Sequence, residues 1–222
     1  MTKDEAFVLK TQDYRDTSLL ATFFTRSHGK VRGIVKGIRD TRARFGSTLE
    51  PFSLNEILFY KRKRGGDLHL VTQVECLDLM TPIREDLDRL AYASYFTELL
   101  DALTEIEDPA PEVFDLMKEA LVFLSSGVSP RRAARVFEIK LLELVGLMPD
   151  THDFEKVIDR PLSKGTLLFI EHVRRVPVAE LENVKVAQGV GEELERCLRR
   201  FVDYHLSKKL NSVIFLEKMG IA

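Results

Sequence analysis

Cysteine is nearly missing from this chain. Cys76 and Cys197 stand far apart in unlike contexts, so neither a disulfide framework nor a four-thiolate zinc site can be assembled from them. Both read as buried, reduced thiols. No run approaches the roughly 18–20 consecutive apolar residues of a membrane span, and Met1-Thr2-Lys3-Asp4-Glu5 has no secretory apolar segment. The expectation is a cytoplasmic protein with no membrane attachment. A phosphate loop is missing too: Lys164-Gly165-Thr166 has the last letters of G-x-x-x-x-G-K-[ST] but no earlier glycine to let backbone amides surround a phosphate. ATP use is not expected. His28, His69, His152, His172 and His205 are scattered, none with a His or Cys three or four residues away as a helical metal site requires. His172 and His205 read as helix-surface or core-edge residues. Glu85, Asp86 and Asp88 belong to a helix's first turn, where the macrodipole explains them without acid-base chemistry. No metal, no cofactor and no catalytic role is expected.

Charge of one sign is what the chain concentrates. Its formal net charge is -2, yet Arg26 to Arg64 holds eleven Lys or Arg against three acids. Residues 1 to 80 carry net +4 and residues 81 to 222 net -6. Nucleic-acid affinity depends on local rather than total charge, because it comes from phosphate neutralisation and counterion release. A solvated charged face is the other reading of such a run.

At 222 residues and 45% apolar content the chain can bury a real core, and a division into residues 1–80 and 81–222 is expected. In the first part, short apolar and β-branched runs at Ala6 to Leu9, Ser18 to Thr25, Val31 to Val35, Phe52 to Tyr60 and Leu68 to Leu77 read as five strands, with Arg64-Gly65-Gly66-Asp67 a hairpin signal. Five short strands suit a small closed barrel, the OB-fold being the commonest version, though strand count alone leaves an SH3-like barrel open. The second part reads as helical. Thr81-Pro82 and Ser129-Pro130 are both a capping hydroxyl followed by proline. Helices are expected from Thr81, from Pro111 to Ser125, and from Pro130 to the stop at Gly146 and Pro149, the last apolar nearly all round and so central to a bundle. Met148 to Asp159 reads as irregular. Ser163 to Arg175, with Leu167, Leu168, Ile170 and Val173 inward, and Gly191 to Lys209 read as further helices, and the apolar tail Val213 to Leu216 should dock. The fold class is thus α+β, a five-stranded barrel followed by an all-helical domain.

The constellation that carries chemistry is Lys36-Gly37-Ile38-Arg39-Asp40-Thr41-Arg42-Ala43-Arg44-Phe45-Gly46. Arg39, Arg42 and Arg44 place guanidinium forks along one segment able to follow a phosphate backbone. Phe45 either stacks on a base or, with Pro51 and Phe52 nearby, anchors the loop. With Arg32 and the run Lys61, Arg62, Lys63 and Arg64, these are the candidate DNA-binding residues. Arg131, Arg132 and Arg135, at a helix start that favours anions, are the candidate site for an acidic partner tail, with Phe137 or Leu141 lining a pocket. Arginines solvating a helix start, or pairing with Glu85, Asp86 and Asp88, are the competing readings.

Several segments in order carry a resemblance. Glu5-Ala6-Phe7-Val8-Leu9-Lys10-Thr11-x-Asp13-Tyr14, Phe23-Phe24-Thr25-Arg26-x-His28-Gly29-Lys30, Lys36-Gly37-x-Arg39, Arg44-Phe45-Gly46-x-x-Leu49-x-Pro51-Phe52, Arg84-Glu85-Asp86-Leu87, Ala91-x-Ala93-Ser94-Tyr95 and Tyr204-His205-Leu206-x-x-Lys209-Leu210-x-Ser212 together resemble the bacterial recombination mediator family RecO. The resemblance implies an N-terminal OB-fold, a helical domain, and DNA repair and recombination work on the nucleoid without nucleotide hydrolysis. Implied partners are single-stranded and double-stranded DNA, RecR, and the acidic C-terminal tail of single-stranded-DNA-binding protein, the outcome being strand annealing and loading of RecA at gaps. One departure stands out. Many members carry two Cys-x-x-Cys pairs after the central helix, whereas residues 146–165 contain no cysteine, so the zinc module is reduced or absent. Two readings from other classes remain: a non-catalytic interaction scaffold whose basic barrel binds an acidic protein, and a hydrolase with an unrecognised site.

Overall fold

In the computed structural model, which describes residues 1–14, 18–36, 49–61, 68–206 and 208–221 and omits the side chains of 151–153 and 157, five strands precede a series of helices. The strands are β1 (Thr2–Tyr14), β2 (Ser18–Thr25), β3 (Gly29–Val35), β4 (Leu54–Tyr60) and β5 (Leu68–Asp78). Period-two alternation puts Ala6, Val8, Ala21, Phe23, Val31, Val35, Ile57 and Phe59 into one buried cluster, because successive side chains of a strand point to opposite faces, and a register shift opposite Leu58 and Phe59 brings both Val71 and Val74 of β5 into it. The sheet closes in the order β1-β2-β3-β5-β4. β3 pairs with β5 in parallel, and β4 returns to β1, which is an OB-fold barrel rather than an SH3-like one. β1 is far longer than the apolar run Ala6 to Leu9 suggests, since its first half pairs with β4 and its second with β2. A register shift between Val8 and Lys10 bends the strand enough to serve both neighbours. Phe52 belongs to no strand; it stands before β4 with φ 54, buried beneath the Arg84 guanidinium 4.3 Å from its ring centre.

The helices are α1 (Thr81–Arg84), α2 (Leu87–Leu103), α3 (Pro111–Ser125), α4 (Pro130–Leu144), α5 (Thr151–Ile158), α6 (Lys164–Arg175), α7 (Gln188–His205) and α8 (Asn211–Met219). Neither expected hydroxyl cap is made. Met80, not Thr81, caps α1, and Ser129 caps α4 without a side-chain hydrogen bond. Proline alone pre-sets these starts. Ser163 does cap α6, accepting from the Thr166 amide. The stretch expected to be irregular holds α5, whose Phe154 and Ile158 are buried, Phe154 against Phe201 at 4.9 Å between ring centres. On α6 the inward residues are Thr166, Phe169, Ile170 and Val173, and Leu168 is 57% exposed, which reverses the sequence expectation for that side chain. Val213 and Leu216 of α8 are buried as the docking tail requires. Cys197 is buried, and Cys76, expected to be buried, is half-exposed.

Two compact units result. The first comprises Met1–Glu85 with Thr97–Asp115, and the second Asp86–Phe96 with Leu116–Ala222. In the second, α4 is the central helix, with Phe137 stacked on Phe96 at 4.3 Å and buried side chains from Ala133 to Leu142. That same apolar helix buries an ion pair. Arg135 Nη2 donates to Glu138 Oε1 at 2.8 Å, and the Tyr95 hydroxyl donates to the same oxygen at 2.5 Å. Burial pushes the Glu138 carboxyl above its ordinary value against the pull of Arg135 and Tyr95.

Candidate nucleic-acid interface

Not all the positive charge counted in the sequence is available to a partner. Arg26 donates to Asp115 at 2.9 Å, and Lys30, nearly buried, donates to the Asp101 carbonyl at 2.6 Å and its carboxylate at 3.0 Å. Lys10 reaches the other oxygen of Asp101 at 2.8 Å. These pairs fasten the end of α2 and the start of α3 to the barrel. Glu107 adds to the fastening by donating its amide to the Lys30 carbonyl at 2.9 Å and placing its carboxylate 2.8 Å from His69 Nε2. Asp4 likewise receives His28 Nδ1 at 2.7 Å and the Ser27 amide at 3.0 Å.

Asp101 has a measurable consequence. Burial alone raises its carboxyl, but the hydrogen bonds and charges of Lys10 and Lys30 outweigh it and hold the group below its ordinary value. A lowered folded value means that this contribution is complete above the unfolded carboxylate range and disappears as pH falls through the folded value. Asp101→Asn is therefore expected to be less stable than the parent at neutral pH, with the gap closing from about pH 5 downward. Urea midpoints at a series of pH values check it; a gap that stays constant into acid contradicts the pairing.

On β3 Gly29 and Lys30 are buried, and from Val31 onward burial alternates, with Val31, Gly33 and Val35 buried and Arg32 and Ile34 facing out of the barrel; Lys36 stands one residue past the strand. Arg32 is half-buried and Lys36 exposed; Lys61 is exposed just past β4. Arg32 pairs in register with Leu68, the first residue of β5, which brings it to the end of the barrel where β4 leads into β5. Arg39, Arg42, Arg44 and Phe45, as well as Arg62, Lys63 and Arg64 with their hairpin signal, lie outside the described residues.

The other predicted cluster occupies the first two turns of α4. Arg131 Nε donates to the Ile221 carbonyl at 3.1 Å, and Arg132 donates to the carbonyls of Val184 at 2.6 Å and Glu182 at 2.7 Å. All three arginines line a cleft of about 350 Å³ with Phe169, Leu194 and Glu195. Phe137 and Leu141, expected to line it, are fully buried in the core instead. The apolar wall comes from α6 and α7, which no local pattern in α4 reveals. The expected pairing with the acids of the first helix is not the one found: Asp86 lies 3.9 Å from Arg89, and Arg135 takes Glu138. Arg135 Nε and Nη1 make no hydrogen bond to the protein. Among the described residues no three His, Cys, Asp or Glu side chains gather so as to hold a metal ion, and no helix is long and apolar enough to cross a membrane.

An OB-fold barrel with a cationic outer strand, joined to a helical unit, defines the class. Family comparison narrows it. Residues 1–80 match the model for the N-terminal part of recombination protein O, and residues 84–156 the model for its C-terminal part. The DNA repair protein RecO of Syntrophus aciditrophicus is 39% identical over 98% of this chain and 95% of its own length. Those of Desulforamulus reducens and Bacillus subtilis are 29% and 28% identical, over 98% and 99% of this chain and 94% and 95% of theirs. The chain belongs to the RecO family of DNA repair proteins.

Proposed function

We propose that this protein binds single-stranded DNA through the outer face of β3 and the basic segments that follow β3 and β4, screens strand repulsion so that complementary strands anneal, and with RecR helps load RecA at gaps coated by single-stranded-DNA-binding protein. It acts without catalysis, since phosphate screening needs no fuel, and duplex DNA is a secondary partner. The observation carrying this reading is the outward placement of Arg32 on an OB-fold strand and of Lys36 one residue past its end, in a member of a DNA repair family. OB-fold grooves bind single strands by tracking the backbone with positive charge.

The α4 cleft suits the acidic C-terminal tail of single-stranded-DNA-binding protein. Arg131, Arg132 and Arg135 bring positive charge to the cleft wall, and Phe169 and Leu194 supply apolar contact. Arginine forks are the usual partners of such acidic motifs.

Phosphate contacts fix the salt dependence. For single strands, log affinity falls with log salt by about 0.7 per neutralised phosphate. Lys36→Ala with Lys61→Ala is expected to reduce that slope by about 1.4 in total and to weaken binding equally across sequences. Arg39, Arg42 and Arg44 changed together to alanine should reduce it by about 2. Fluorescence anisotropy of labelled oligonucleotides at several salt concentrations measures both. Unchanged slopes in both variants sink the assignment, and a parent protein indifferent to oligonucleotides at low salt favours the acidic-protein scaffold.

A further inference from the structure

Sheet register assembles an apolar row on the outside of the barrel that the charge pattern does not announce. Ile34 of β3 pairs with Leu70 of β5, and Leu70 pairs on its other side with Tyr60 of β4. Their sequence neighbours Val35, Val71 and Phe59 all belong to the barrel core, so the three side chains share the outer face. Adjacent strands lie about 4.8 Å apart, which makes the row continuous across three strands. Tyr60 is 45% and Leu70 37% exposed.

Cations bracket the row. Arg32 and Lys36 stand two residues either side of Ile34 on the same face, about 6.6 Å along the strand, and Lys61 follows Tyr60 directly. Further along the same face the character reverses, because Glu56 and Glu75 are paired cross-strand and Glu56 is paired again with Glu5. Lys3 offsets part of that acid through its 2.7 Å pair with Glu56, so the cations bordering Tyr60 mark the end of the face that favours phosphate. An exposed aromatic ring with a hydrophobic neighbour inside a cationic border matches the chemistry of an unpaired nucleobase: a π-face to stack and a phosphate within reach. Neither a bare phosphate backbone nor a duplex, whose bases are already stacked, uses the ring.

We infer that Tyr60, supported by Leu70 and Ile34, is a stacking platform for one base of a single strand and gives this face its preference for unpaired DNA. The inference rests on the DNA-binding reading above and adds a contact with bases to one with phosphates. Stacking of a base on an aromatic side chain typically changes affinity by about fivefold to a hundredfold.

The chain contains no tryptophan, so Tyr60→Trp installs a single reporter at the platform. Its emission is expected to be quenched on titration with a single-stranded oligonucleotide, and to be unaffected by an abasic strand of equal length or by duplex DNA. The unmodified protein should bind the abasic strand about tenfold more weakly than the base-bearing one, and Tyr60→Ala should remove that difference while Tyr60→Phe preserves it. Equal affinity of the unmodified protein for base-bearing and abasic strands overturns the platform while leaving phosphate binding intact, and this arm does not depend on any variant folding. Quenching by duplex equal to that by single strands also overturns it. Failure of the unmodified protein to bind either strand at low salt is the distinct result that removes the DNA-binding reading itself.

Discussion

Glu138→Ala is expected to cost the second unit about 3–5 kcal/mol, which at roughly 2–4 °C per kcal/mol for a chain of this size lowers its melting temperature by about 10 °C. Both partners of the pair are buried, Glu138 to 1% and Arg135 to 6% exposure, and the guanidinium remains charged at any pH where the protein is folded. Removing the carboxylate strands that charge, and leaves the Tyr95 hydroxyl without the acceptor it now meets at 2.5 Å. The expected large loss comes from the orphaned group rather than from the strength of the pair, because the cost of desolvating two ions offsets most of their attraction. Replacing both at once, Arg135→Met with Glu138→Leu, should therefore recover most of the stability. Thermal denaturation followed by circular dichroism distinguishes the cases; a double variant as unstable as Glu138→Ala contradicts this account.

Gly29→Ala is expected to destabilise the first unit by about 2–4 kcal/mol. Gly29 opens β3 with φ 64, a region where a Cβ clashes with its own carbonyl, and a Cβ there runs into the backbone carbonyl of Asp108. Backbone cannot rotate away as a side-chain tip can. Relief requires the segment around Asp108 to lift from the barrel, breaking the bond from the Glu107 amide to the Lys30 carbonyl. Hydrogen exchange is the sharper measurement: the Glu107 amide should lose protection before the barrel core does. Retained protection at Glu107 in a folded Gly29→Ala protein contradicts the contact.

The barrel was legible because its signal is local. Short apolar and β-branched runs between turn residues mark the strands without any knowledge of the partner strand, although they do not tell which face is buried: Ala21 to Thr25 of β2 are buried on both faces. Five short strands point to closure as well, but not to the strand order, since the parallel pairing of β3 with β5 joins segments that no local pattern relates. Among helices, the one expected from about Pro111 to Ser125 matches α3 (Pro111–Ser125), because proline and a clear stripe bound it. α5 was missed: an eight-residue helix gives too few turns for a period to emerge. The sequence places Arg135 with Arg131 and Arg132 as a candidate for an acidic tail, or as a solvated helix start, and does not show that it is buried against the Glu138 carboxylate, which also accepts from the Tyr95 hydroxyl of α2. Of the candidate DNA-binding residues, Arg32 faces out of β3, Lys36 is exposed one residue past it and Lys61 just past β4, placements that composition alone does not give. Arg26 and Lys30, equally basic in sequence, prove to be spoken for by Asp115 and Asp101. Tyr60 looked like one more strand residue, and its neighbours Leu70 and Ile34 become visible only through register.

The double allegiance of β1 governs how this molecule is made. Thr2 to Phe7 hydrogen-bond with a strand that ends at Tyr60, while Lys10 to Tyr14 pair with the hairpin neighbour beginning at Ser18. During synthesis the latter half finds its mate almost at once, whereas the former emerges with an unsatisfied edge and waits until some fifty further residues have left the ribosome. Loop closure over such separations is slow compared with helix formation. The opening residues, Lys3, Asp4 and Glu5 among them, keep that waiting edge charged, which discourages it from joining another nascent chain.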